Sequence, residues 1–345
     1  MATASRNLNF VRVFAVWGIV MQHTLFSAMA RDEHADAARF VQYAFSLQCL
    51  YVLCLFSGAA HRGEWIAGLS KQPLGEYLSI GLRRFGVPYL FLSMAGVVCS
   101  QLLRGTLSIH RLVEVGTVFL YDPSSAGSYW YLHMLLVLWL AWPLLAPCMT
   151  DDKSAAALIL GLTFLRCTPF GTSSLLGLWR ALPAMIVFLV GYRWGFDVGG
   201  VARRHPIWVS VMFFATLTTR LWGLGGETGK ALPPFPEVLY PIQPLLDVVT
   251  FVTGAVLAVE VVGRLSAPLQ QRWVKWTAGR SHDAYIFHDF VFPLVGRAIA
   301  AIPGIAWPAR MLLAIPGSIL VFSLAILIGA VVRRFELPRK LLYGR

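Results

Sequence analysis

Long apolar runs alternate with short polar or basic segments along the whole chain. Each run is long enough to cross roughly 30 Å of hydrocarbon as a helix. Backbone amides in lipid need partners within their own segment, so these runs are predicted to be α-helices. The pattern therefore predicts an all-α polytopic membrane protein with about ten transmembrane helices in one bundle. The predicted spans cover residues 10–30, 40–60, 79–103, 128–147, 154–170, 180–197, 206–224, 242–262, 281–301 and 308–332.

No Ser/Pro-rich linker, low-complexity segment or internal repeat divides the chain, so residues 1–345 are predicted to form a single membrane domain. The first apolar run imitates a secretory signal, with Ala28-Met29-Ala30 as a cleavage site. It also contains Arg12, Gln22 and His23, which do not suit the apolar centre of a signal. We therefore expect a retained first helix. Only about a dozen residues follow the last span, and no fused soluble domain is expected.

Composition and charge agree with a membrane location. The chain is 57% hydrophobic and 13% charged, whereas about 25% of a soluble domain is charged. Its net charge of +12 is spread between the spans rather than gathered in a patch, so nucleic acid is not an expected partner. Lys and Arg are more frequent in the segments that lie inside when the N-terminus is cytoplasmic, which predicts that both termini are cytoplasmic. The five cysteines form no CxxC pair, so neither a disulfide framework nor a metal site is expected.

Ionisable side chains within the spans are the first candidates for function, because a central Arg costs about 2.5–3.5 kcal/mol on insertion scales. The first span contains Arg12 and His23, eleven residues apart. At about 100° per residue this spacing is three turns plus roughly 20°, so both side chains leave the same face of a helix. They are separated by about 16 Å along the axis, with Arg12 near the cytoplasmic edge. Asp247 and Glu260, in a later span, are expected to neutralise basic residues.

This arrangement suits a donor that carries phosphates at one end and a reactive acyl carbon at the other. Arginine binds phosphate oxygens in pairs through its planar guanidinium group. Histidine can accept the proton of an attacking hydroxyl near neutral pH, which is general-base catalysis. A coenzyme A thioester is such a donor, bound as a substrate, and no tightly bound cofactor is expected. The alternative is that Arg12 only reaches the interface and His23 only makes a hydrogen bond in the core.

Two further clusters are candidates for the same site. Arg83 and Arg84 enter the third span on the predicted side of Arg12, so the three could surround one polyanion, although an Arg pair at a membrane edge is also a common topological anchor. Ser281 opens the ninth span as a predicted N-cap. Three residues apart, Tyr285 and His288 share a helix face. The adjacent letters Ser-His-Asp at 281–283 are no catalytic triad, since neighbours on a helix point apart.

Arg12 and His23 on a first span resemble the Arg-x10-His signature of the membrane acyltransferase-3 family. Other motifs of that family follow in the same order and extend past the last span. They are Phe56-Ser57-Gly58, Arg83-Arg84 before Val87-Pro88-Tyr89, Trp130, Leu189-Val190-Gly191-Tyr192, Ser281 with Tyr285 and His288, and Phe335-Glu336-Leu337-Pro338. Each motif is short, and their order carries the resemblance. The spacing around Val87-Pro88-Tyr89 is most similar to the fucose 4-O-acetylase-like branch.

The resemblance implies a membrane O-acyltransferase of the bacterial inner membrane. It implies acyl transfer, usually of acetyl and sometimes of succinyl or a longer group, from a cytoplasmic donor such as acetyl-CoA to hydroxyls of exopolysaccharide or another acceptor. His23 would be the essential histidine, Arg12 its paired arginine, and Arg83 with Arg84 the basic residues of span three. The implied partners are acyl-CoA, a carbohydrate acceptor and membrane lipids, and glycan-assembly proteins are further candidates.

The sequence also departs from the family pattern. Asn9 stands where an acidic residue usually lies, three positions before the arginine, so a polar role without charge is expected there. Many members have Arg-x-x-Arg in span three, whereas Arg83 and Arg84 are adjacent here. Two other functions compete with acyl transfer: a transporter or flippase for a polar solute or lipid-linked glycan, and a non-catalytic partner in glycan export. The acceptor is not readable from the sequence, and outer loops 104–128 and 225–241 are expected to select it.

Overall fold

The computed structural model describes residues 7–29, 47–104, 108–110, 113, 129–168, 178–227, 242–266, 268 and 272–343. These residues form helices and the short turns that connect them, and no β-strand occurs among them. The predicted all-α class is confirmed for this part of the chain. The α-helices are α1 (Leu8–Met29), α2 (Leu47–Ala67), α3 (Leu74–Gly81), α4 (Val87–Arg104), α5 (Trp130–Leu145), α6 (Asp152–Arg166), α7 (Leu178–Trp194), α8 (Val198–Arg204), α9 (Pro206–Glu227), α10 (Gln243–Leu265), α11 (Arg272–Ala278), α12 (Ser281–Ala300), α13 (Trp307–Val332) and α14 (Glu336–Tyr343).

Every predicted span overlaps at least one of these helices in the described part of the chain, although only some helices have the length and hydropathy of a membrane crossing. Five segments of the described chain are long and apolar enough to cross a membrane, and a sixth apolar helix, Ala181–Trp194, is shorter. The number of ten crossings and the cytoplasmic position of both termini stay predictions, as does the single-domain organisation. The five segments are Leu8–Met29, Leu74–Cys99, Trp130–Met149, Gln243–Leu265 and Trp307–Val332.

Contacts divide the chain into two compact units. The first consists of Met1–Ala59 and Val187–Gly329, and the second of Ala60–Ile186 and Ala330–Arg345. The division falls inside α2, α7 and α13.

In the first unit, α1 packs against α10, α11 and α12. Its buried residues lie on several sides of the helix and include Val11, Ala15 and Val20, which are at most 1% exposed. The start of α1 is fixed by Asn7, whose Oδ1 accepts a hydrogen bond from the N–H of Phe10 at 3.1 Å. Asn7 also donates through its backbone N–H to the Gly263 carbonyl at 2.9 Å and through Nδ2 to the Ser266 carbonyl at 3.0 Å. One asparagine therefore caps α1 and satisfies carbonyls at the end of α10.

Glycines allow the helices of this unit to approach closely. A Cβ atom at Gly296 of α12 would overlap Ser27 of α1, and one at Gly317 of α13 would lie 3.0 Å from Ile299. Two glycines of the family-like motifs have the same purpose. A Cβ at Gly58 would overlap the carbonyl oxygen of Phe188, and one at Gly191 would overlap the carbonyl oxygen of Leu55. These motif glycines are thus requirements of the α2–α7 crossing, as expected where small residues let helices associate in lipid.

The second unit is organised around Trp139 of α5. Its ring stacks on Tyr77 with centroids 4.9 Å apart, and its Nε1 donates to the Tyr77 carbonyl at 2.9 Å. The Tyr77 hydroxyl donates back to the Trp139 carbonyl at 3.0 Å. Gly81 leaves room for this indole, since a Cβ there would overlap it. The chain then passes through a π-helical turn at Leu82–Gly86, which packs against α5.

We predict that Gly296→Ala destabilises the protein, whereas Gly161→Ala does not. Alanine favours a helix over glycine by about 1 kcal/mol, so the two substitutions are matched in intrinsic propensity. At Gly296 the added methyl group overlaps Ser27, an overpacking that costs about 1–3 kcal/mol, while at Gly161 it meets no heavy atom within 4 Å. Thermal unfolding of the two purified variants in detergent measures the difference. A Gly296→Ala protein as stable as the wild type would contradict the close contact of α1 and α12.

Candidate functional site

The contact of α1 with α12 brings together a group of ring and carboxylate side chains, here called the His23 cluster. It consists of His23 from α1 and Tyr285, His288, Asp289 and Phe292 from α12. Positions three, four and seven residues apart share one side of a helix, so the four α12 residues face the same neighbour. The prediction that Tyr285 and His288 share a face is confirmed, since their ring centroids are 5.8 Å apart.

His23 is held between two rings of α12. Its centroid lies 5.1 Å from that of His288 and 5.2 Å from that of Phe292, with interplanar angles of 47° and 34°. His288 and Phe292 are themselves 6.1 Å apart. His23 is half-buried, so part of its surface is left uncovered by the helices that the structure describes. This is the exposure that a general base requires.

The His288 side chain is fully buried, and each of its ring nitrogens has a polar neighbour. Nδ1 lies 2.6 Å from the Tyr285 carbonyl oxygen, and Nε2 lies 3.4 Å from Oδ1 of Asp289. The Asp289 side chain is 17% exposed. Asp289 therefore links the buried imidazole of His288 to the more open part of the cluster.

The backbone of α12 is interrupted beside this cluster. Pro293 lies inside the helix and has no N–H to donate to the carbonyl of Asp289, four residues earlier. One turn after Phe292, Gly296 meets Ser27, which is one turn after His23 on α1. The cluster thus lies next to both the closest approach of the two helices and a local break in α12.

The cluster also has the composition of a small metal site. One ligand atom from each of His23, His288 and Asp289 lies within 4.8 Å of the other two. Two imidazoles and a carboxylate are suitable ligands for zinc and similar ions. The sequence predicts no metal here, although the chemistry of these three residues permits one.

The structure supports the helical relation of Arg12 and His23. Both lie on the continuous helix α1, so their spacing along one face is confirmed. Between them on that face, Val16 and Ile19 are only 2% and 4% exposed. That side of α1 therefore faces protein, whereas Arg12 itself is exposed.

One prediction at a helix start is wrong, and another is not tested. Asn9 is exposed and the hydrogen bonds at the start of α1 are made by Asn7, so the polar role of Asn9 stays a prediction. Ser281 is the first residue of α12 rather than its N-cap, a position occupied by Arg280. The Ser281 hydroxyl donates to the Ala278 carbonyl at 2.8 Å, and the residue is 1% exposed. Ser281 thus has a structural contact of its own.

Arg83 and Arg84 belong to the second unit, whereas Arg12 belongs to the first. The π-helical turn gives the two adjacent arginines different surroundings. Arg84 donates to Oε2 of Glu64 at 2.6 Å, and its guanidinium lies 5.4 Å from the ring centroid of Phe85. Arg83 is exposed and its Nε lies 3.4 Å from the Ser79 carbonyl oxygen. A π turn inside an α-helix is frequently associated with a functional site.

Trp130 is also in the second unit and begins α5, as the motif predicts. Its ring meets that of Tyr131 edge-on at 6.5 Å. The outer loops predicted to select the acceptor, 104–128 and 225–241, are mostly outside the described residues.

The two acidic residues of α10 neutralise basic residues, as expected. Asp247 accepts a hydrogen bond from Nε of Arg220 at 2.8 Å, and both side chains are at most 15% exposed. Glu260 forms an ion pair with Arg264, four residues later, and lies 3.7 Å from Nε of Arg203. Both carboxylates therefore have a structural explanation.

Sequence reasoning missed four residues of these sites: Asn7, Glu64, Asp289 and Phe292. Asp289 and Phe292 lie one residue and four residues after His288, so helix periodicity alone places Phe292 on the same side. Asn7 precedes the first apolar residue of α1 and has the residue type of an N-cap, which is a usable signal. The sequence gives no such signal for Glu64, since its pairing with Arg84 depends on tertiary structure.

Comparison with known families identifies the class of protein. Residues 5–332 match the family described as an acyltransferase domain, the acyltransferase-3 family. The chain belongs to the acyltransferase-3 family. It is therefore an acyltransferase, and its long apolar helices make it a multi-pass membrane protein. The searches of curated proteins and of solved structures found no match. Family membership favours the enzyme over the transporter and the non-catalytic partner.

We predict that Ser281→Ala lowers stability without changing the activity of the folded protein. The substitution removes one buried neutral hydrogen bond, to Ala278, which is worth about 1 kcal/mol. Acyl transfer per mole of monodisperse protein, measured with the thermal midpoint, separates the two effects. A lower activity at unchanged stability would place the Ser281 hydroxyl in the reaction.

Proposed function

We propose that the protein transfers an acyl group, in the first instance acetyl, from a cytoplasmic acyl-CoA donor to a hydroxyl of a surface or exported glycan. One observation carries this proposal: His23, half-buried between two rings of α12, lies on the same continuous helix as Arg12 in an acyltransferase-3 chain. The similarity around Val87-Pro88-Tyr89 to the fucose 4-O-acetylase-like branch supports a sugar hydroxyl as the acceptor.

In this reaction His23 is the general base. Its ring nitrogen takes the proton of the acceptor hydroxyl while the oxygen attacks the thioester carbonyl carbon. The carbon–sulfur bond then breaks, and coenzyme A leaves as a thiolate that recovers a proton from the His23 imidazolium. The acceptor hydroxyl becomes an ester and the donor becomes the free thiol of coenzyme A. The histidine returns to its neutral form. The same base also serves a covalent relay, in which the acyl group first passes to the protein.

The phosphates of the donor are assigned to arginines. Arg12 lies about 16 Å from His23 along α1, a spacing that suits the distance between the phosphate and thioester ends of one extended donor. Arg83 and Arg84 are the donor-binding residues that the family resemblance suggests, and the pairing of Arg84 with Glu64 holds one of their guanidinium groups in place. Guanidinium groups bind phosphate oxygens through charge-assisted hydrogen bonds, often two at a time.

The proposed setting is the bacterial inner membrane, with ten crossings and both termini in the cytoplasm. The basic residues between the spans support this orientation. The donor then enters from the cytoplasmic side, and outer loops select the acceptor. Glycan-assembly proteins are proposed as the partners that present it.

We predict that His23→Ala abolishes acyl transfer and that His205→Ala does not. Removal of a general base costs roughly 100-fold or more in rate. His205 is exposed and lies in the same unit, so its substitution controls for the loss of an imidazole. Mass spectrometry of the surface glycan, from cells that make each variant in equal amounts, detects the acetyl or succinyl increment. Normal acylation in the His23→Ala cells would remove His23 from the mechanism.

We also predict that Arg83→Ala and Arg84→Ala each weaken binding of acetyl-CoA by roughly 10- to 100-fold, since a hydrogen bond to a charged group is worth about 1.5–3 kcal/mol. Arg339→Ala, at an exposed position of the second unit, is the control. Calorimetric titration of each purified protein with acetyl-CoA measures the affinities. Equal affinity in the arginine variants and the wild type would contradict a phosphate role for this pair.

A further inference from the structure

Ser93 of α4 differs from other hydroxyl residues in the helices of this protein. Thr163, Thr216 and Thr250 each donate to the backbone carbonyl four residues earlier. Ser93 is only 2% exposed, and its Oγ has no hydrogen-bond partner in the described part of the chain. A hydroxyl inside a helix commonly bonds to the preceding turn, and a buried hydroxyl that does not is costly unless another group binds it.

Gly96 leaves room on the same side of α4 as Ser93, since the two residues are three positions apart. A Cβ atom at Gly96 would meet no heavy atom of the described chain within 4 Å. Tyr89 and Leu92, on the preceding turn, are each 1% exposed, so this side of α4 faces protein. The Ser93 hydroxyl therefore lies next to a space at a helix interface.

The opposite helix contributes an imidazole to the same interface. α4 packs against α5, and the ring centroid of His133 on α5 lies 5.2 Å from that of Tyr89. His133 is 7% exposed, and its contact with the Tyr89 ring occupies neither ring nitrogen. Three residues before His133, Trp130 lies on the same side of α5 and is half-buried. Ser93, Gly96, Trp130 and His133 are called the Ser93 site below.

The Ser93 site lies along the same helix pair as Arg84, in the second unit. The guanidinium of Arg84 is 5.9 Å from the ring centroid of Trp139 on α5. His133 is six residues from Trp139, about 9 Å along α5, and Ser93 is nine residues from Arg84, roughly 13 Å along α4. The segment Leu74–Cys99, which contains both Arg84 and Ser93, is long and apolar enough to cross a membrane. A ligand held by Arg84 that extends along these helices would therefore reach the Ser93 site.

The residue types of the Ser93 site suit an uncharged polar ligand. A serine hydroxyl and a neutral imidazole each donate and accept a hydrogen bond, and neither has a fixed charge. The arm of coenzyme A between its phosphates and its sulfur is also uncharged, and it carries amide groups and a hydroxyl. Such groups are costly to bury in an apolar interface unless matching partners are in place.

We propose that Ser93 and His133 bind the neutral arm of the acyl-CoA donor, an assignment that rests on the proposed function. Arg84 holds the phosphates, and the arm extends along α4 and α5 to the Ser93 site. There the hydroxyl and the imidazole form hydrogen bonds with its amide and hydroxyl groups. A sugar acceptor offers hydroxyls of similar chemistry, so the test separates these two ligands.

The test compares coenzyme A with adenosine 3′,5′-bisphosphate, which has phosphates but lacks the arm. Calorimetric titration of the full-length protein in nanodiscs measures both affinities. We expect Ser93→Ala to weaken binding of coenzyme A by roughly 2- to 10-fold, the value of one neutral hydrogen bond, and to leave binding of the bisphosphate unchanged. Arg84→Ala should weaken binding of both ligands. Ser70→Ala, at an exposed position of the same unit, should change neither affinity.

His133 provides an independent series in the same titrations. His133→Phe keeps an aromatic ring against Tyr89 and removes both nitrogens, so it should weaken binding of coenzyme A selectively. His133→Gln retains a donor and an acceptor and should recover part of the loss. If His133→Phe does not fold, Ser93→Ala still decides. That variant should keep the thermal midpoint of the ligand-free protein, because the Ser93 hydroxyl makes no hydrogen bond in the described chain.

Three results would overturn the proposal. The first is wild-type affinity for coenzyme A in both Ser93→Ala and His133→Phe. The second is an equal loss of affinity for coenzyme A and the bisphosphate, which would show a general disturbance of the phosphate end. The third is unchanged affinity for coenzyme A with a raised KM for the acceptor, which would assign the Ser93 site to the sugar. Failure of the proposed function is a different result, in which the wild type does not bind coenzyme A or His23→Ala retains acyl transfer.

Discussion

The close contact of α1 and α12 at Ser27 and Gly296 is the constraint on which the rest of the site depends. In lipid there is little hydrophobic force between helices, so association relies on close packing where small residues allow the backbones to meet. Gly296 provides such a point, because a side chain there would overlap Ser27. One helical turn before this contact, the ring of His23 on α1 packs against the rings of Phe292 and His288 on α12. The arrangement of the site therefore depends on Gly296, which has no side chain and takes no part in the site itself.

A second feature of the structure is that buried charges lie next to groups of opposite charge. Arg220 donates to Asp247, and Glu260 lies between two arginines, so these pairs need no ligand to explain their presence in apolar helices. The His23 cluster differs from them, since it combines two imidazoles with one carboxylate that remains partly accessible. Breaking a buried pair is costly because it leaves an uncompensated charge.

Much of the fold and half of the site could be predicted from the sequence. Apolar runs of suitable length located the helices, because the need to satisfy backbone hydrogen bonds in lipid leaves few alternatives. Helix periodicity placed Arg12 and His23 on one face and paired Tyr285 with His288. Periodicity could not show which helix lies opposite His23, so Asp289 went unrecognised although it follows His288 directly. Glu64 was missed for the same reason: its partner Arg84 is twenty residues away and reaches it only through tertiary packing.

Asn7 has a mechanical consequence for the position of the His23 imidazole. By bonding to Gly263 and Ser266, it ties the first turn of α1 to the last turn of α10 and prevents α1 from sliding along its own axis. His23 is sixteen residues farther along, about 24 Å at the usual helical rise. The anchor at Asn7 therefore sets how far along α1 the His23 ring lies from the end of α10, although the two residues are at opposite ends of the helix.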